Sequence, residues 1–253
     1  MSAARPASRQ RLDELLVVRG LFQTRSRARD AIERGTVAVS GRVETRPGRP
    51  VDEDVEVVVD DPARRYVSRS ALKLVAALDH FAIDVTGTAA LDVGASTGGF
   101  TQVLLERGAA SVIALDVGRD QLHETLRADP RVQVIEGLNA RDLTLGHLGG
   151  VRPRIVVIDV SFISLKLALP PALALAAPGA SAALLVKPQF EAGREAIGKG
   201  GLLRDSALGP RIAQDLSAWL DTQPGWRSFG IAPSPIEGGD GNREFLLGGK
   251  KDR

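Results

Sequence analysis

The apolar positions of this chain change their spacing near residue 70. Before that point the pattern is short and amphipathic. In RLDELLVVRGL, Leu12, Leu15 and Leu16 fall on one helical face, and Gly20 ends the segment. In TRSRARDAIERG, Thr24 or Ser26 caps a second helix that stops at Gly35. Its inner side carries Ala28, Ala31 and Ile32, while Arg25 and Arg29, four residues apart, share the other face. TVAVSGRVET then alternates Val37 and Val39 with other residues and turns at Ser40-Gly41, a hairpin pattern, and VEVVV at 55–59 adds a strand. Beyond residue 70, near-continuous apolar runs at 89–93, 112–116, 132–136, 155–159 and 182–187 alternate with helical stretches. Such runs predict a parallel sheet covered on both faces. A helix around 205–220 and strands near 226–232 and 243–247 complete the series. The charged, proline-bearing stretch DDPARRYVSR at 60–69 separates the two parts.

Composition changes this picture in only a few ways. Cysteine is absent, which excludes disulfides and thiolate metal sites. No apolar run reaches the roughly 18 residues a spanning helix needs. The start, MSAARPASRQR, is basic without an apolar core, so no signal peptide is expected and the location expected is cytoplasmic. The formal net charge of +2 conceals an uneven distribution. Residues 1–49 hold eleven arginines against five acids, a surplus of six. Guanidinium forks bind phosphate bidentately, so this part fits either a nucleic-acid footprint or a solvated basic surface.

Two constellations carry chemistry. The first is AALDVGASTGGFTQVLLERGA, read as strand, glycine-rich turn and helix. Gly94, Gly98 and Gly99 let the backbone pass close to a ligand in front of a helix N-terminus. The spacing does not fit the dinucleotide pattern G-x-G-x-x-G, and Asp92 is a poor neighbour for a pyrophosphate. A cationic, amino-acid-bearing ligand suits it better. Asp116 ends the next strand, where a carboxylate can accept both hydroxyls of a ribose; its other reading is a cap for a helix starting at Gly118. Asn139, after the third strand, either lies near a bound base or only forms a turn.

The second constellation is a set of charges at strand ends. Asp159 follows RIVVI and Lys187 follows AALLV, and a buried strand does not end on an ion without compensation. In a doubly wound sheet the carboxyl ends of neighbouring strands meet at one crevice, so these two charges arrive side by side. Lys73, on an otherwise apolar helix, and Glu244, after the flexible run EGGDGN, could join them. By themselves the four also read as two structural salt bridges. Phe162 and Phe190 follow Asp159 and Lys187 in a chain that is 4% aromatic, which leaves core packing, the favoured reading, or stacking on a splayed-out base. His80, His123 and His147 are scattered and receive no role.

The stretch RLDELLVVRGLFQTRSRARDAIERGTVAVSGRVET resembles the S4 domain, an RNA-binding module. The resemblance implies Arg9, Arg11, Arg25, Arg29 and Arg42 as RNA contacts. The glycine loop with Asp116 and the strand order resembles the class I methyltransferase fold, Rossmann-like with a doubly wound, mostly parallel seven-stranded sheet. That implies S-adenosylmethionine as cofactor, with Gly94, Ala95, Ser96, Thr97, Gly98, Gly99 and Phe100 at its methionine part. Asp116 then takes the ribose, Asn139 lies near the adenine, and Asp92 and Val117 lie beside them. Lys73, Asp159, Lys187 and Glu244 stand in the order of the Lys-Asp-Lys-Glu tetrad of FtsJ-like ribose 2'-O-methyltransferases. The contexts YVSRSALKL, DVSFISL, LVKPQFEAG and GNREFLL resemble the TlyA (haemolysin A) family, which methylates cytidine riboses in ribosomal RNA.

The implied organisation is a flexible basic terminus at 1–8, an S4 domain at 9–60, a linker at 61–68, a methyltransferase domain at 69–248 and a tail at 249–253. The implied partner is 16S or 23S rRNA, or both, handled by a monomer that requires no metal. Lys187 is expected to act as base, Asp159 to orient it, Lys73 to tune its charge, and Glu244 to position lysine or ribose. Competing expectations are an RNA-binding assembly protein without methyl transfer and a haemolysin-like membrane-active protein.

Overall fold

Side chains on the central strands of the larger unit alternate between two buried layers. Ala90, Ile155, Val157, Ala183 and Leu185 enter one, and Leu91, Val93, Val156, Ile158, Leu184 and Val186 enter the other. A sheet buried on both faces explains why these strands read as continuous apolar runs. The structure, a computed structural model, describes residues 9–252. The basic segment at 1–8 and the final arginine of the expected tail lie outside the described residues. The chain divides into two units, Met1–Arg65 and Tyr66–Arg253.

In the first unit, β1 (Arg9–Arg11) leads into α1 (Leu12–Val18) and α2 (Arg25–Glu33). β2 (Val37–Val39), β3 (Arg42–Val43), β4 (Pro50–Asp52) and β5 (Val57–Val59) follow. Thr24 rather than Ser26 caps α2, its hydroxyl oxygen accepting from the Arg27 N–H. Leu12, Leu15, Leu16, Ala28, Ala31 and Ile32 bury their side chains with Val37 and Val39. β2 pairs antiparallel with β3 and β5.

The second unit runs α3 (Ala71–His80), β6 (Ala89–Val93), α4 (Gly99–Glu106), β7 (Ser111–Asp116), α5 (Glu124–Arg127), β8 (Val132–Glu136) and β9 (Ile155–Ile158). It continues with α6 (Leu165–Ala168), α7 (Pro170–Leu175), β10 (Ser181–Val186), α8 (Leu208–Asp221), β11 (Trp226–Pro233) and β12 (Phe245–Lys251). The strands form one seven-stranded sheet in the order β11-β12-β10-β9-β6-β7-β8, with β12 antiparallel to both neighbours and the others parallel. After β8 the chain crosses to the far side of β6, which opens a crevice at the carboxyl ends of β6 and β9. Among the described residues no helix is long and apolar enough to cross a membrane.

The ends of β9, β10 and β12 differ from the sequence reading. β9 and β10 stop at Ile158 and Val186, so Asp159 and Lys187 are the first residues beyond the sheet. Each charge thus stands at the rim, where it costs less than inside the strand. β12 continues to Lys251, so residues 249–251 of the expected tail belong to the sheet. The glycines there have a packing reason: a Cβ on Gly248 would meet the Phe229 ring at 2.3 Å, and one on Gly249 would meet Leu220 at 2.6 Å. The Lys251 ammonium then donates to the carbonyls of Leu173, Ala174 and Ala176 at the C-terminal end of α7.

Candidate active site

At the crevice between β6 and β9 lies a cavity of about 690 Å³. Gly94, Ser96, Asp116, Val117 and Asn139 line one part of its wall; Asp159, Ser161 and Phe162 line another. Gly94 has φ +84°, and a Cβ there would meet the Asp159 carbonyl oxygen at 2.5 Å. The loop therefore passes against β9 only because residue 94 lacks a side chain. Gly94→Ala combines left-handed strain with that clash. We expect it to lower Tm by roughly 4–8 °C, for about 2 kcal/mol lost, and to weaken cofactor binding; differential scanning and titration calorimetry check both.

Other members of the loop serve packing. Ala95 and Phe100 belong to the hydrophobic core rather than to the cavity wall, because the loop turns inward as it enters α4. A Cβ on Gly98 would collide with Leu122 and Leu126, and one on Gly99 with Ser70. Thr97 is exposed, and its carbonyl accepts from the His123 N–H. Asp116 accepts two backbone hydrogen bonds at 2.7 Å, from Ser96 to Oδ2 and from Gly118 to Oδ1. Asp116 lines the cavity, whereas the helix that the other reading placed at Gly118 does not form there: α5 begins at Glu124, and the carboxylate instead holds a turn. Asn139 likewise lines the cavity while its Oδ1 caps the short helical turn at Ala140–Asp142, accepting from Arg141.

Asp92 lies beneath this loop, fully buried. Thr101, in the first turn of α4, donates to its Oδ2 at 2.7 Å, while Oδ1 has no hydrogen-bond partner among the described residues. Burial drives the Asp92 pKa up to about 7; the Thr101 hydrogen bond opposes that rise and the Asp159 charge adds to it. Sequence reasoning missed Thr101, whose signal was a hydroxyl nine residues after a strand-end acid. It also missed Gln121, whose Oε1 accepts from the Ser96 hydroxyl at 3.2 Å.

The structure brings Lys73, Asp159, Lys187 and Glu244 together as two ion pairs. Lys187 Nζ is 2.6 Å from Asp159 Oδ1, both side chains about one-seventh exposed, at 13% and 15%. Lys73 Nζ donates to Glu244 Oε2 at 2.5 Å, in a pair that is almost completely buried. Topology explains the convergence. Phe245 at the start of antiparallel β12 stands opposite Val186 at the end of parallel β10, so Glu244 reaches the same rim as Lys187. Lys73 sits on the inner face of α3 with Leu74 and Ala77. Burial raises the Glu244 pKa; Lys73 and then Lys187 pull it back, and the Asp159 charge adds to the rise, so the two pairs share one electrostatic neighbourhood.

Lys187 Nζ also donates to Ser161 Oγ at 2.9 Å, a contact the sequence reading did not anticipate. The loop bearing Ser161 is tied to the segment after Lys187 in two further ways. Glu191 accepts from the Ser164 hydroxyl and the Leu165 N–H, and the Phe162 and Phe190 rings lie 5.1 Å apart. Core packing, the favoured expectation for these aromatics, fails for Phe162. It is 91% exposed, borders the cavity, and has φ +66°, an unusual conformation for a bulky residue.

In the first unit the arginines are partly engaged. Arg9 pairs with Asp52 at 3.1 Å. Arg11 and Arg25 both reach the buried Asp13, whose pKa burial pushes up but these hydrogen bonds pull down, the net shift being downward. Arg29 stands 4.0 Å from Glu33, and Arg42 is exposed at the start of β3. Arg46 and Arg49 converge on the buried Glu44, holding its pKa at about 2, and with Arg9 they line a shallow surface pocket. Neither had a separate role in the sequence reading, because their surroundings depend on how residues 44–50 fold back.

A parallel sheet with one antiparallel insertion, a glycine turn after its first strand and an acid ending its second define a class I methyltransferase fold. Residues 66–251 match the FtsJ-like methyltransferase family, and residues 10–57 match the S4 domain. The 16S/23S rRNA (cytidine-2'-O)-methyltransferase TlyA of Mycobacterium tuberculosis is 46% identical over 95% of this chain and 90% of its own length. Hemolysin A of Brachyspira hyodysenteriae is 41% identical over 93% of this chain and 98% of its own length. A solved structure from Streptococcus thermophilus, described as a hemolysin, is 40% identical, covers 96% of this chain and 89% of its own, and superposes with a TM-score of 0.74. The chain belongs to the FtsJ-like methyltransferase family and carries an S4 domain; it is a methyltransferase.

Proposed function

We propose that the chain transfers a methyl group from S-adenosylmethionine to the 2'-hydroxyl of cytidine riboses in ribosomal RNA. The observation that carries the chemistry is one cavity lined both by Gly94 and Asp116 and by Asp159, whose Oδ1 stands 2.6 Å from Lys187 Nζ. The cavity residues fit this cofactor. Asp116 retains lone pairs for ribose hydroxyls beyond the two it gives to backbone N–H groups. The Asp92 oxygen without a partner suits a cationic ligand better than a phosphate. When bound, S-adenosylmethionine supplies a methyl group activated by its sulfonium.

The protein's part is positioning and proton transfer. A ribose hydroxyl is a weak acid, so its proton must leave as the new bond forms, and a positioned base contributes roughly 10²–10⁴-fold. Lys187 takes that proton, and Asp159 stabilises the ammonium that results. The buried Lys73–Glu244 pair fixes the charge behind them. Exposed Phe162 offers a face for the target base once it is lifted from its neighbours.

Labelled methyl transfer to unmodified rRNA and to ribosomal subunits, followed by mapping of ribose methylation, tests the reading. Label on base atoms or no incorporation would refute it. The S4 unit supplies the electrostatic grip. Five arginine–phosphate contacts to single-stranded RNA predict a slope of about −3.5 in log affinity against log salt, and Arg42→Ala should reduce its magnitude by about 0.7. Filter binding across a salt series measures this. Arg42 is the informative choice, because Arg11 and Arg25 also hold buried Asp13.

A further inference from the structure

Lys187 Nζ is 2.6 Å from Asp159 Oδ1 and donates to Ser161 Oγ at 2.9 Å. The contact with Asp159 is an ion pair outside hydrogen-bond geometry, so Ser161 supplies the directional bond to this nitrogen. Asp159 and Ser161 both line the cavity. Asp159 alone would leave the flexible lysine stem free to turn about a single charge. The Ser161 hydroxyl, two residues along the same loop, removes that freedom.

We propose that Ser161 is a positioning residue for methyl transfer: its hydroxyl sets the direction in which Lys187 Nζ meets the sugar hydroxyl. The inference rests on the reading of Lys187 as proton acceptor. The loop is built to hold this geometry. At one end the Asp159 N–H donates to the Val93 carbonyl. At the other, Glu191 fastens Ser164 and Leu165 to the segment that follows Lys187. The sheet register agrees: Ile158 of β9 stands opposite Leu184 of β10, which places residue 161 level with residue 187 just past the strand ends. Ser161 itself is exposed, so no packing requirement explains its hydroxyl.

The test compares Ser161→Ala, Ser161→Thr and Lys187→Ala with the unaltered full-length protein, using unmodified 23S and 16S rRNA transcripts and ribosomal subunits as probes. Removing one hydrogen bond to a charged group should lower kcat about 10–100-fold in Ser161→Ala. KM for RNA, calorimetric cofactor affinity and Tm should stay unchanged. Ser161→Thr, which keeps the hydroxyl, should restore most of kcat. An unchanged kcat in Ser161→Ala would overturn the proposal. So would a loss that threonine fails to rescue, or one matched by equal losses in cofactor affinity or Tm. Full turnover in Lys187→Ala would instead remove the base assignment beneath it, which separates the two failures.

Discussion

Lys187→Ala should abolish measurable methyl transfer, with kcat lowered about 10³–10⁴-fold, while affinity for S-adenosylmethionine changes less than about threefold. The separation follows from the geometry. The wall formed by Gly94, Ser96, Asp116 and Val117 holds no atom of Lys187, whereas the lysine's partners Asp159 and Ser161 face the cavity. Removing the cation also leaves Asp159 without its ion-pair partner, yet that carboxylate is partly solvated and the fold should survive. Lys73→Ala is a poorer probe of chemistry. It would strand Glu244, whose side chain is 2% exposed. Breaking such a buried pair costs about 3–5 kcal/mol of stability. Calorimetric titration beside a labelled-methyl assay distinguishes the cases, and full transfer by Lys187→Ala would exclude it as base.

Asp92→Asn should stabilise the larger unit at alkaline pH and flatten its stability between pH 4 and 7. The folded protein holds the Asp92 proton up to about pH 7, whereas the unfolded chain releases it near the ordinary carboxylate value of 3.8. Its contribution is therefore fully present below that lower value and is lost as pH rises through the folded one. The loss is on the order of 4 kcal/mol by pH 8. Asparagine cannot ionise, and its carbonyl can still accept from Thr101. Urea unfolding at pH 5 and pH 8 measures the difference, and Trp219 and Trp226 both report on this unit. Above pH 7, where Asp92 is ionised, the same substitution should weaken cofactor binding, since a neutral amide attracts a cation less than a carboxylate does. Equal pH dependence in the two proteins would show that Asp92 does not carry the linkage.

The alternation of apolar runs, the glycine loop and the strand-end charges were legible because each depends on residues close in sequence. The meeting of Asp159 with Lys187 was legible from two neighbouring strand ends, but the pairing of Lys73 with Glu244 was not. Where Glu244 arrives is decided by the antiparallel insertion of β12, a long-range event that leaves no local mark in GNREFLL. Ser161 escaped notice for the same reason, since its partner lies 26 residues away. Phe162 was misread because aromatic residues usually pack inside, and nothing local announces a left-handed backbone at a phenylalanine. The extent of β12 was understated because Gly248-Gly249 resembles the beginning of a loose end. Those glycines are in fact required beneath Phe229 and Leu220.

The buried union of Lys73 with Glu244 also bears on biosynthesis. Glu244 is translated 171 residues after its partner, when most of the sheet's sequence has already been made. Until it emerges, the cation on α3 lacks this counter-ion, and burying that helix face costs more. A chain truncated before residue 244 is therefore expected to dock this helix less stably, which limited proteolysis of such a truncation would detect.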